Sequence, residues 1–187
     1  IVMDNGIYGL TKGQAGPTLA LGEKPKSLPR PNPQGKVNPL LLAFASGYTW
    51  IARGYAYDVK GLKELIKEGI AHRGLAFLHV LQPCPTYNDL HTKEWFAPRL
   101  YRLEEEGYDP LVPPGLPPEA LEARMARFQQ KALEWGERIP VGVFWKAELP
   151  TFEARLKAYL PRYPEAYPAR GPETPLDLEG LLQEFAL

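Results

Sequence analysis

The sequence has little that would direct its 187 residues to a membrane, a nucleic acid or a disulfide-bonded scaffold. No apolar run approaches the ~20 residues that a transmembrane helix requires. Lys and Arg number 22, as do Asp and Glu, so no basic surface is expected to attract the phosphates of nucleic acid. The single cysteine excludes an internal disulfide and is typical of a reducing compartment. These absences favour a soluble, cytoplasmic protein with neither a nucleic-acid nor a membrane partner.

The remaining patterning indicates an α/β fold with one hydrophobic core. Asn38 and Pro39 are suited to the first positions of a helix, and Asp58 is suited to cap another. The elements alternate as in βαβ units, which predicts a mostly parallel sheet covered by helices on both faces. The predicted elements are strands at residues 1–3, 49–53 and 75–81 and helices at residues 40–46 and 59–70.

The second half of the chain reads differently from the first. Residues 91–118 are irregular and aromatic, and apolar residues at three- and four-residue spacing then predict an amphipathic helix from Leu121 to Trp135. A buried strand is predicted at residues 141–145 and a short helix, capped by Thr151, at residues 151–160. A proline-rich tail, ending in an apolar segment at residues 176–187, is suited to docking on another subunit.

The amino-terminal residues are the most informative part of the chain. A short apolar strand leads directly into a polar loop that contains Gly6, Gly9, Gly13 and Gly16. In open α/β sheets, ligands bind just outside the carboxyl ends of the strands, and glycines let the backbone approach them closely. This loop is therefore predicted to form part of a binding site, and the segment 9–36 to wrap over a cofactor or a partner subunit.

These residues also resemble a known family. The run from Asp4 to Gln14, Asp-Asn-Gly-Ile-Tyr-Gly-Leu-Thr-Lys-Gly-Gln, is similar to the second half of the thiamine-diphosphate motif in β subunits of 2-oxoacid:ferredoxin oxidoreductases. The resemblance continues, in the family's order, through Trp50–Gly54, Ile70–Phe77 and Leu81–Asn88. The family places a Gly-Asp-Gly sequence before the Asn-containing loop, and none stands here. We therefore expect the chain to be the carboxyl-terminal part of a longer subunit, with part of a thiamine-diphosphate-binding fold in residues 1–90. Residues 91–187 would form an extension that packs on this domain and on a partner subunit.

The resemblance implies an activity and a set of partners. The enzyme would oxidatively decarboxylate a 2-oxoacid with coenzyme A, producing acyl-CoA and carbon dioxide and reducing ferredoxin. An α subunit, or a fused γα subunit, would complete the active site and supply the glutamate that activates the cofactor. No catalytic side chain is expected in this chain, because the cofactor carries the chemistry. The 2-oxoacid, with pyruvate and 2-oxoglutarate as examples, is not specified.

The resemblance also implies roles for individual residues. Asn5 would bind Mg²⁺ through its side-chain oxygen and Ile7 through its backbone carbonyl, and hard oxygen ligands of this kind suit the ion. The carboxylate ligand would lie in the Gly-Asp-Gly sequence. Read alone, Asp4-Asn5-Gly6 is only a good turn sequence. The residues implied to surround thiamine diphosphate are Asn5, Ile7, Tyr8, Gly9, Leu10 and Thr11.

Lys12 and Cys84 each admit two interpretations. Lys12 is our candidate for substrate recognition, since a 2-oxoacid brings a carboxylate that needs a cationic or donor partner. It could equally be a solvated loop lysine, because related subunits have glycine there. Cys84 would be one ligand of a [4Fe-4S] cluster whose other ligands lie outside this chain. A lone cysteine is otherwise most often a small buried hydrophobic residue.

Two other functions stay open at this point. The chain could be a non-catalytic assembly module that keeps the fold but binds neither cofactor nor cluster, or part of a thiamine-dependent decarboxylase without electron transfer. His72, His79 and His91 have no spacing that favours a metal site, and His79 is expected to be a satisfied core residue. The Glu104–Glu106 run is expected to be a solvated face.

Overall fold

The computed structural model describes residues 1–160, 163, 180 and 183. It contains two compact units, Ile1–Leu149 and Pro150–Leu187. The strands are β1 (Val2–Asp4), β2 (Ile7–Tyr8), β3 (Gln14–Ala15), β4 (Trp50–Tyr55), β5 (Ala76–Leu81), β6 (Leu100–Arg102), β7 (Leu111–Val112) and β8 (Ile139–Ala147). The helices are α1 (Pro39–Ala45), α2 (Val59–Ala71), α3 (Lys93–Phe96), α4 (Pro118–Leu133) and α5 (Phe152–Tyr159), and Glu104–Glu106 form a 3₁₀ turn.

The first unit is built on a mainly parallel sheet of six strands. The strand order is β1-β5-β4-β8-β6, and β7 also pairs with β8. Strands β1 and β4 both pair in parallel with β5, whereas β8 runs antiparallel to β4. The carboxyl ends of β1, β5 and β4 therefore lie at one edge of the sheet, where the glycine-rich segment begins.

Helices cover both faces of this sheet, as the sequence predicts. Residues of β4 alternate between the faces, so Ile51 packs with α1 and α4 while Trp50 and Ala52 pack with α2. All three side chains are fully buried. The α1 and α4 face has the larger cluster, whose fully buried aromatic residues are Phe128 and Phe144. The predicted fold class is confirmed.

Local signals account for the helix ends. Asn38 accepts hydrogen bonds from the backbone N–H groups of Leu40 and Leu41, and Pro39 occupies the first turn of α1. Asp58 accepts from the N–H of Gly61 at the start of α2. In the second unit, Thr151 caps α5 in the same way, which confirms the predicted start of that helix.

The structure differs from the sequence expectations in three places. Segment 5–16 forms a small hairpin of β2 and β3, and segment 91–118, expected to be irregular, contains α3, β6 and β7. These elements are two to four residues long, too short for periodicity to reveal them. Trp135 lies beyond the end of α4.

Most of the proline-rich tail and its apolar end lie outside the described residues. In the part of the chain that is described, no helix combines the length and the hydropathy needed to cross a bilayer.

Candidate cofactor site

The candidate site is a hairpin that projects from the carboxyl end of β1. Strands β2 and β3 pair in antiparallel fashion, and the intervening turn is closed by a 2.9 Å bond from the Gly13 N–H to the Tyr8 carbonyl. A 2.8 Å bond from the Gly16 N–H to the Gly6 carbonyl closes its base. Gly13 adopts a φ of +112°, and a Cβ there would lie 2.5 Å from the Cβ of Ser27. This close approach requires glycine.

Asp4 anchors the base of the hairpin. Its Oδ1 accepts hydrogen bonds from the Gly6 N–H at 2.9 Å and from the Thr18 hydroxyl at 2.5 Å, while Oδ2 lies 2.8 Å from His79 Nε2. Burial would raise the pKa of Asp4, but the hydrogen bonds from His79, Thr18 and Gly6 bring it down to about 2. Asp4 is thus a carboxylate at neutral pH, held on both oxygens.

His79 and Arg53 support this carboxylate from inside the sheet. They are each 2% exposed on adjacent strands, and Arg53 Nε donates a 3.2 Å hydrogen bond to His79 Nδ1. Since Nδ1 is an acceptor, Nε2 bears the proton and donates a hydrogen bond to Asp4. Burial, with the nearby charge of Arg53, lowers the pKa of His79 despite the hydrogen bond to Asp4. The imidazole is therefore neutral, which confirms the expectation of a satisfied core histidine.

Asn5 occupies the turn that Asp4 fixes. Its Oδ1 accepts a 3.0 Å hydrogen bond from the Ile7 N–H, which leaves one lone pair, and its backbone carbonyl accepts a 3.0 Å bond from Asn88 Nδ2. The side chain is partly exposed, whereas Gly6 and Ile7 are buried. An amide oxygen and a backbone oxygen are ligands that fit Mg²⁺, which takes its remaining ligands from phosphate, carboxylate or water.

The tip of the hairpin is open to solvent. A Cβ added at Gly9 would meet nothing within 4 Å, and the side chain of Leu10 is 97% exposed. Lys12 has a φ of +60° and is, in the described part of the chain, the single non-glycine residue with positive φ. Such a conformation is uncommon for lysine, and residues held in uncommon backbone conformations cluster at functional sites. The exposed members of the predicted cofactor set are Tyr8, Gly9, Leu10 and Thr11.

Cys84 lies in the loop after β5, at the same edge of the sheet. Its side chain is partly buried, and it forms no disulfide. Among the described residues, no three His, Cys, Asp or Glu side chains are arranged to hold a metal. A four-iron cluster requires four thiolates, so this chain's donor set fits one ligand position of such a cluster and no more.

The long segment after the hairpin connects both loops. Ser27 Oγ donates to the Gly13 carbonyl at 2.8 Å, and Lys26 reaches the other loop through bonds of 2.9 Å to the Pro85 carbonyl and 2.7 Å to Asp89 Oδ1. Asn32, which is 3% exposed, holds the segment together by donating to the carbonyls of Leu19, Ala20 and Gln34. The segment between the hairpin and α1 is thus an ordered connection between the hairpin and the loop that follows β5.

A group of aromatic and charged side chains lies beneath the hairpin. Lys36 Nζ lies 3.0 Å from the ring centroid of Trp135, and Glu23 Oε1 lies 3.0 Å from His91 Nε2. Burial and the charge of Arg53 lower the pKa of Lys36 to about 7, against the opposing effects of Asp4 and Glu23. Trp135, His91 and Asn5 also line a cavity of about 20 Å³, which has room for about one water molecule.

Sequence reasoning missed several residues that build this site. It assigned no role to Asp4, Arg53 or Lys36, nor to the side chain of Asn88. A signal was available for Arg53 and His79, because polar residues within apolar parallel strands are buried and need partners. No comparable signal identified Asp4 as the partner, since 75 residues separate it from His79.

Comparison with known proteins agrees with this description. Residues 1–80 match the family model "Thiamine pyrophosphate enzyme, C-terminal TPP binding domain", and residues 84–160 match the family model for the carboxyl terminus of the pyruvate ferredoxin oxidoreductase beta subunit. A 2-oxoacid:ferredoxin oxidoreductase subunit beta from Sulfolobus sp is 58% identical, over 91% of this chain and 55% of the relative. Its namesake from Saccharolobus solfataricus is 51% identical, over 98% of this chain and 62% of the relative.

A solved structure of an enzyme with a similar name is also similar to this chain. It is a 2-oxoglutarate:ferredoxin oxidoreductase from Magnetococcus marinus with 2-oxoglutarate, coenzyme A and succinyl-CoA bound. The TM-score is 0.71 at 28% identity, and the match covers 99% of this chain and 57% of that one.

The fold and the first matched region define a thiamine-diphosphate-binding α/β domain, of which this chain carries the carboxyl-terminal region. Over both matched regions, the chain is similar to the β subunits of 2-oxoacid:ferredoxin oxidoreductases. It spans between about half and two thirds of the length of the relatives named above.

Proposed function

We propose that this chain acts within the β subunit of an enzyme that oxidatively decarboxylates a 2-oxoacid with coenzyme A and passes the electrons to ferredoxin. The observation that carries the proposal is the rigid turn at Asn5, which stands at the ligand-binding edge of the sheet within a sequence closely similar to such subunits. The products would be acyl-CoA and carbon dioxide.

Asn5 and Ile7 would hold Mg²⁺, and through it the diphosphate of thiamine diphosphate. The turn is preorganised, because Asp4 and Asn88 fix its backbone before any ligand arrives. When bound, thiamine diphosphate supplies the carbanion chemistry that releases the carboxyl group. The hairpin residues that we assign to the cofactor's surroundings are Asn5, Ile7, Tyr8, Gly9, Leu10 and Thr11.

Lys12 would bind a carboxylate of the substrate. Its position at the open tip of the hairpin lets the ammonium group reach a ligand that enters from solvent. A charged hydrogen bond to a carboxylate contributes about 1.5–3 kcal/mol, enough to favour 2-oxoacids with a second carboxylate. We therefore assign Lys12 to substrate selection and not to the chemistry itself.

Cys84 would provide one thiolate to a [4Fe-4S] cluster, whose other ligands come from outside this chain. The cluster would remove electrons from the reaction, and ferredoxin would receive them. The loop lies at the same edge of the sheet as the hairpin, which suits this transfer. An enzyme that keeps such a thiolate is suited to the cytoplasm, since a reducing compartment protects cysteine ligands.

An α subunit, or a fused γα subunit, would complete the site with the glutamate that activates the cofactor. In this division of labour, residues 1–90 carry the ligands for cofactor and cluster. Residues 91–187 would form the extension that we expect to pack on this domain and on the partner subunit.

Cofactor binding tests the proposal directly. For the β subunit assembled with its α subunit, saturating thiamine diphosphate with Mg²⁺ should raise the melting temperature by several degrees. A ligand at 100 times its Kd stabilises the native state by about 2.7 kcal/mol. Mg²⁺ alone and thiamine without phosphate serve as controls. A melting temperature that stays unchanged would favour the assembly-module alternative.

The iron content tests the electron-transfer step. Cys84→Ser should lower the iron content of the anaerobically prepared complex while the response to thiamine diphosphate persists. A parent complex without iron that still decarboxylates the 2-oxoacid would instead identify a decarboxylase without electron transfer.

A further inference from the structure

Asn88 is a buried polar residue that the proposed chemistry does not use. It is 1% exposed and follows Cys84 by four positions. Its Oδ1 accepts hydrogen bonds from two backbone N–H groups, those of Leu90 at 3.1 Å and His91 at 3.2 Å. A backbone N–H can only donate, so these two bonds determine which end of the carboxamide is the oxygen.

The other end of the carboxamide therefore faces the cofactor hairpin. Asn88 Nδ2 donates a 3.0 Å hydrogen bond to the backbone carbonyl of Asn5 and lies 3.5 Å from His91 Nδ1. The backbone N–H of Asn88 donates a 3.0 Å bond to the carbonyl of Cys84. One buried residue is thus bonded to the backbones of both Asn5 and Cys84.

We propose that Asn88 is a positioning residue that couples the cofactor turn to the cysteine loop, so that occupancy of one site changes the properties of the other. The inference rests on the proposed function, because it takes Asn5 as a ligand of the cofactor's Mg²⁺ and Cys84 as a cluster ligand. Asn88 itself touches neither group. It acts through the backbones that carry their ligands.

The burial of Asn88 is what makes this connection stiff. A shift of the Asn5 backbone on cofactor binding must either move the buried Asn88 or leave its amide group and the partly buried Asn5 carbonyl without their hydrogen bond, which is unfavourable. Lys26 also links the two loops, through its ammonium group to the Pro85 carbonyl and through its backbone N–H to Asp89 Oδ1, but these bonds are exposed, so water can replace them. Coupling should therefore run through Asn88 and not through Lys26.

Thermodynamic coupling measures this role. The Kd of thiamine diphosphate with Mg²⁺ would be measured by calorimetry on the anaerobic αβ complex, with and without Cys84→Ser. This comparison is made in three proteins: the parent, Asn88→Ala and Asp89→Ala. The last is a matched control at the exposed neighbouring residue. We expect loss of the cluster ligand to change the Kd by about fivefold or more in the parent and in the control. In Asn88→Ala the same change should fall below about twofold.

Asn88→Asp provides a second variant if alanine disrupts the loop. It keeps the oxygen that accepts from Leu90 and His91 and replaces the amide nitrogen that donates to Asn5 and lies near His91 Nδ1. Cofactor binding should change the electron paramagnetic resonance spectrum of the reduced cluster in the parent and leave it unchanged in Asn88→Asp. A purely structural residue would not remove this response selectively.

The outcomes separate the inference from the function on which it rests. If the cofactor binds but the factor caused by Cys84→Ser is the same in the parent and in Asn88→Ala, coupling through Asn88 is overturned and the proposed function stands. The same holds if the parent binds cofactor equally with and without Cys84. A parent complex that binds no cofactor would overturn both.

Discussion

The base and the tip of the cofactor hairpin are built on opposite principles. At the base, Asp4 is bonded on both oxygens and supported by His79 and Arg53 inside the sheet. At the tip, Leu10 is almost fully exposed and Lys12 has an uncommon backbone conformation. This difference shows that the end we assign to Mg²⁺ is preorganised by burial, whereas the end we assign to the substrate is left open to solvent. Changes at the base should therefore affect stability, cofactor binding or both, and changes at the tip should affect substrate preference alone.

The largest effect on stability is expected at the base of the hairpin, from Asp4→Ala. Removing this carboxylate leaves the buried Arg53 without its counter-charge and three donors unpaired, at a cost of about 3–5 kcal/mol in the free energy of unfolding. Denaturant unfolding of the isolated chain measures it. The control is Asp109→Ala, which removes an exposed carboxylate bonded to Arg124 at 2.9 Å and should cost at most about 1 kcal/mol. Equal costs for the two variants would contradict the proposed anchor.

Asn5→Ala should weaken Mg²⁺-dependent binding of thiamine diphosphate on the order of 100-fold while changing stability far less than Asp4→Ala. The reason is that Asn5 lies in the turn but its side chain contributes only one local hydrogen bond to it. Calorimetry on the αβ complex measures the affinity. Gln14→Ala, on the exposed side of the same hairpin, is the matched control, and an Asn5→Ala affinity equal to that control would remove Asn5 from the ligand set.

Lowering the pH should reduce, in two stages, the stability that the base of the hairpin contributes. Because the pKa of His79 is lowered in the folded state, protonation of the unfolded chain reduces stability as the pH falls below the ordinary value of 6.5. Asp4, with a folded pKa of about 2 against an ordinary 3.8, loses its contribution of about 2 kcal/mol as the pH falls through that interval. Urea unfolding between pH 8 and about pH 2 measures both stages.

His79→Gln tests the first stage of this acid response. Glutamine keeps a neutral donor toward Asp4 but does not titrate, so the decrease that begins near the ordinary histidine pKa should shrink. Persistence of the whole first stage in His79→Gln would assign it to other groups.

The smallest effect is expected at the tip of the hairpin, where Lys12→Gly should change substrate preference but not stability. Glycine accepts the positive φ without strain, so the melting temperature should change little. The KM for 2-oxoglutarate should rise roughly tenfold, through loss of one charged hydrogen bond, while the KM for pyruvate stays nearly constant. Lys12→Arg, which keeps the cation, is the control. Equal changes for both substrates would show that Lys12 does not read the second carboxylate.

The same contrast explains what the sequence could predict. Helices α1 and α2 have their signals close together, in Asn38, Pro39 and Asp58, and strands β4 and β5 are apolar runs. These local patterns are sufficient to predict a sheet that is covered by helices on both faces. The turn at Asn5 was also predictable from its residues, but the Mg²⁺-binding role of Asn5 was implied only by the resemblance to a known motif.

The anchor of that turn could not be predicted in this way. Its contacts join Asp4 to His79 and His79 to Arg53, and they depend on the order and register of strands far apart in the chain. Periodicity carries no information about such pairs. A polar residue in an apolar strand indicates that it has a partner but not which one.

Trp135 provides the site with an optical reporter of its own. Its ring lies under the ammonium group of Lys36 and lines the small cavity beside Asn5. Lys36 changes charge near neutral pH, so the indole emission should respond both to pH and to whatever binds at the turn. Occupancy of the hairpin could then be followed by intrinsic fluorescence in real time, without a label and without turnover.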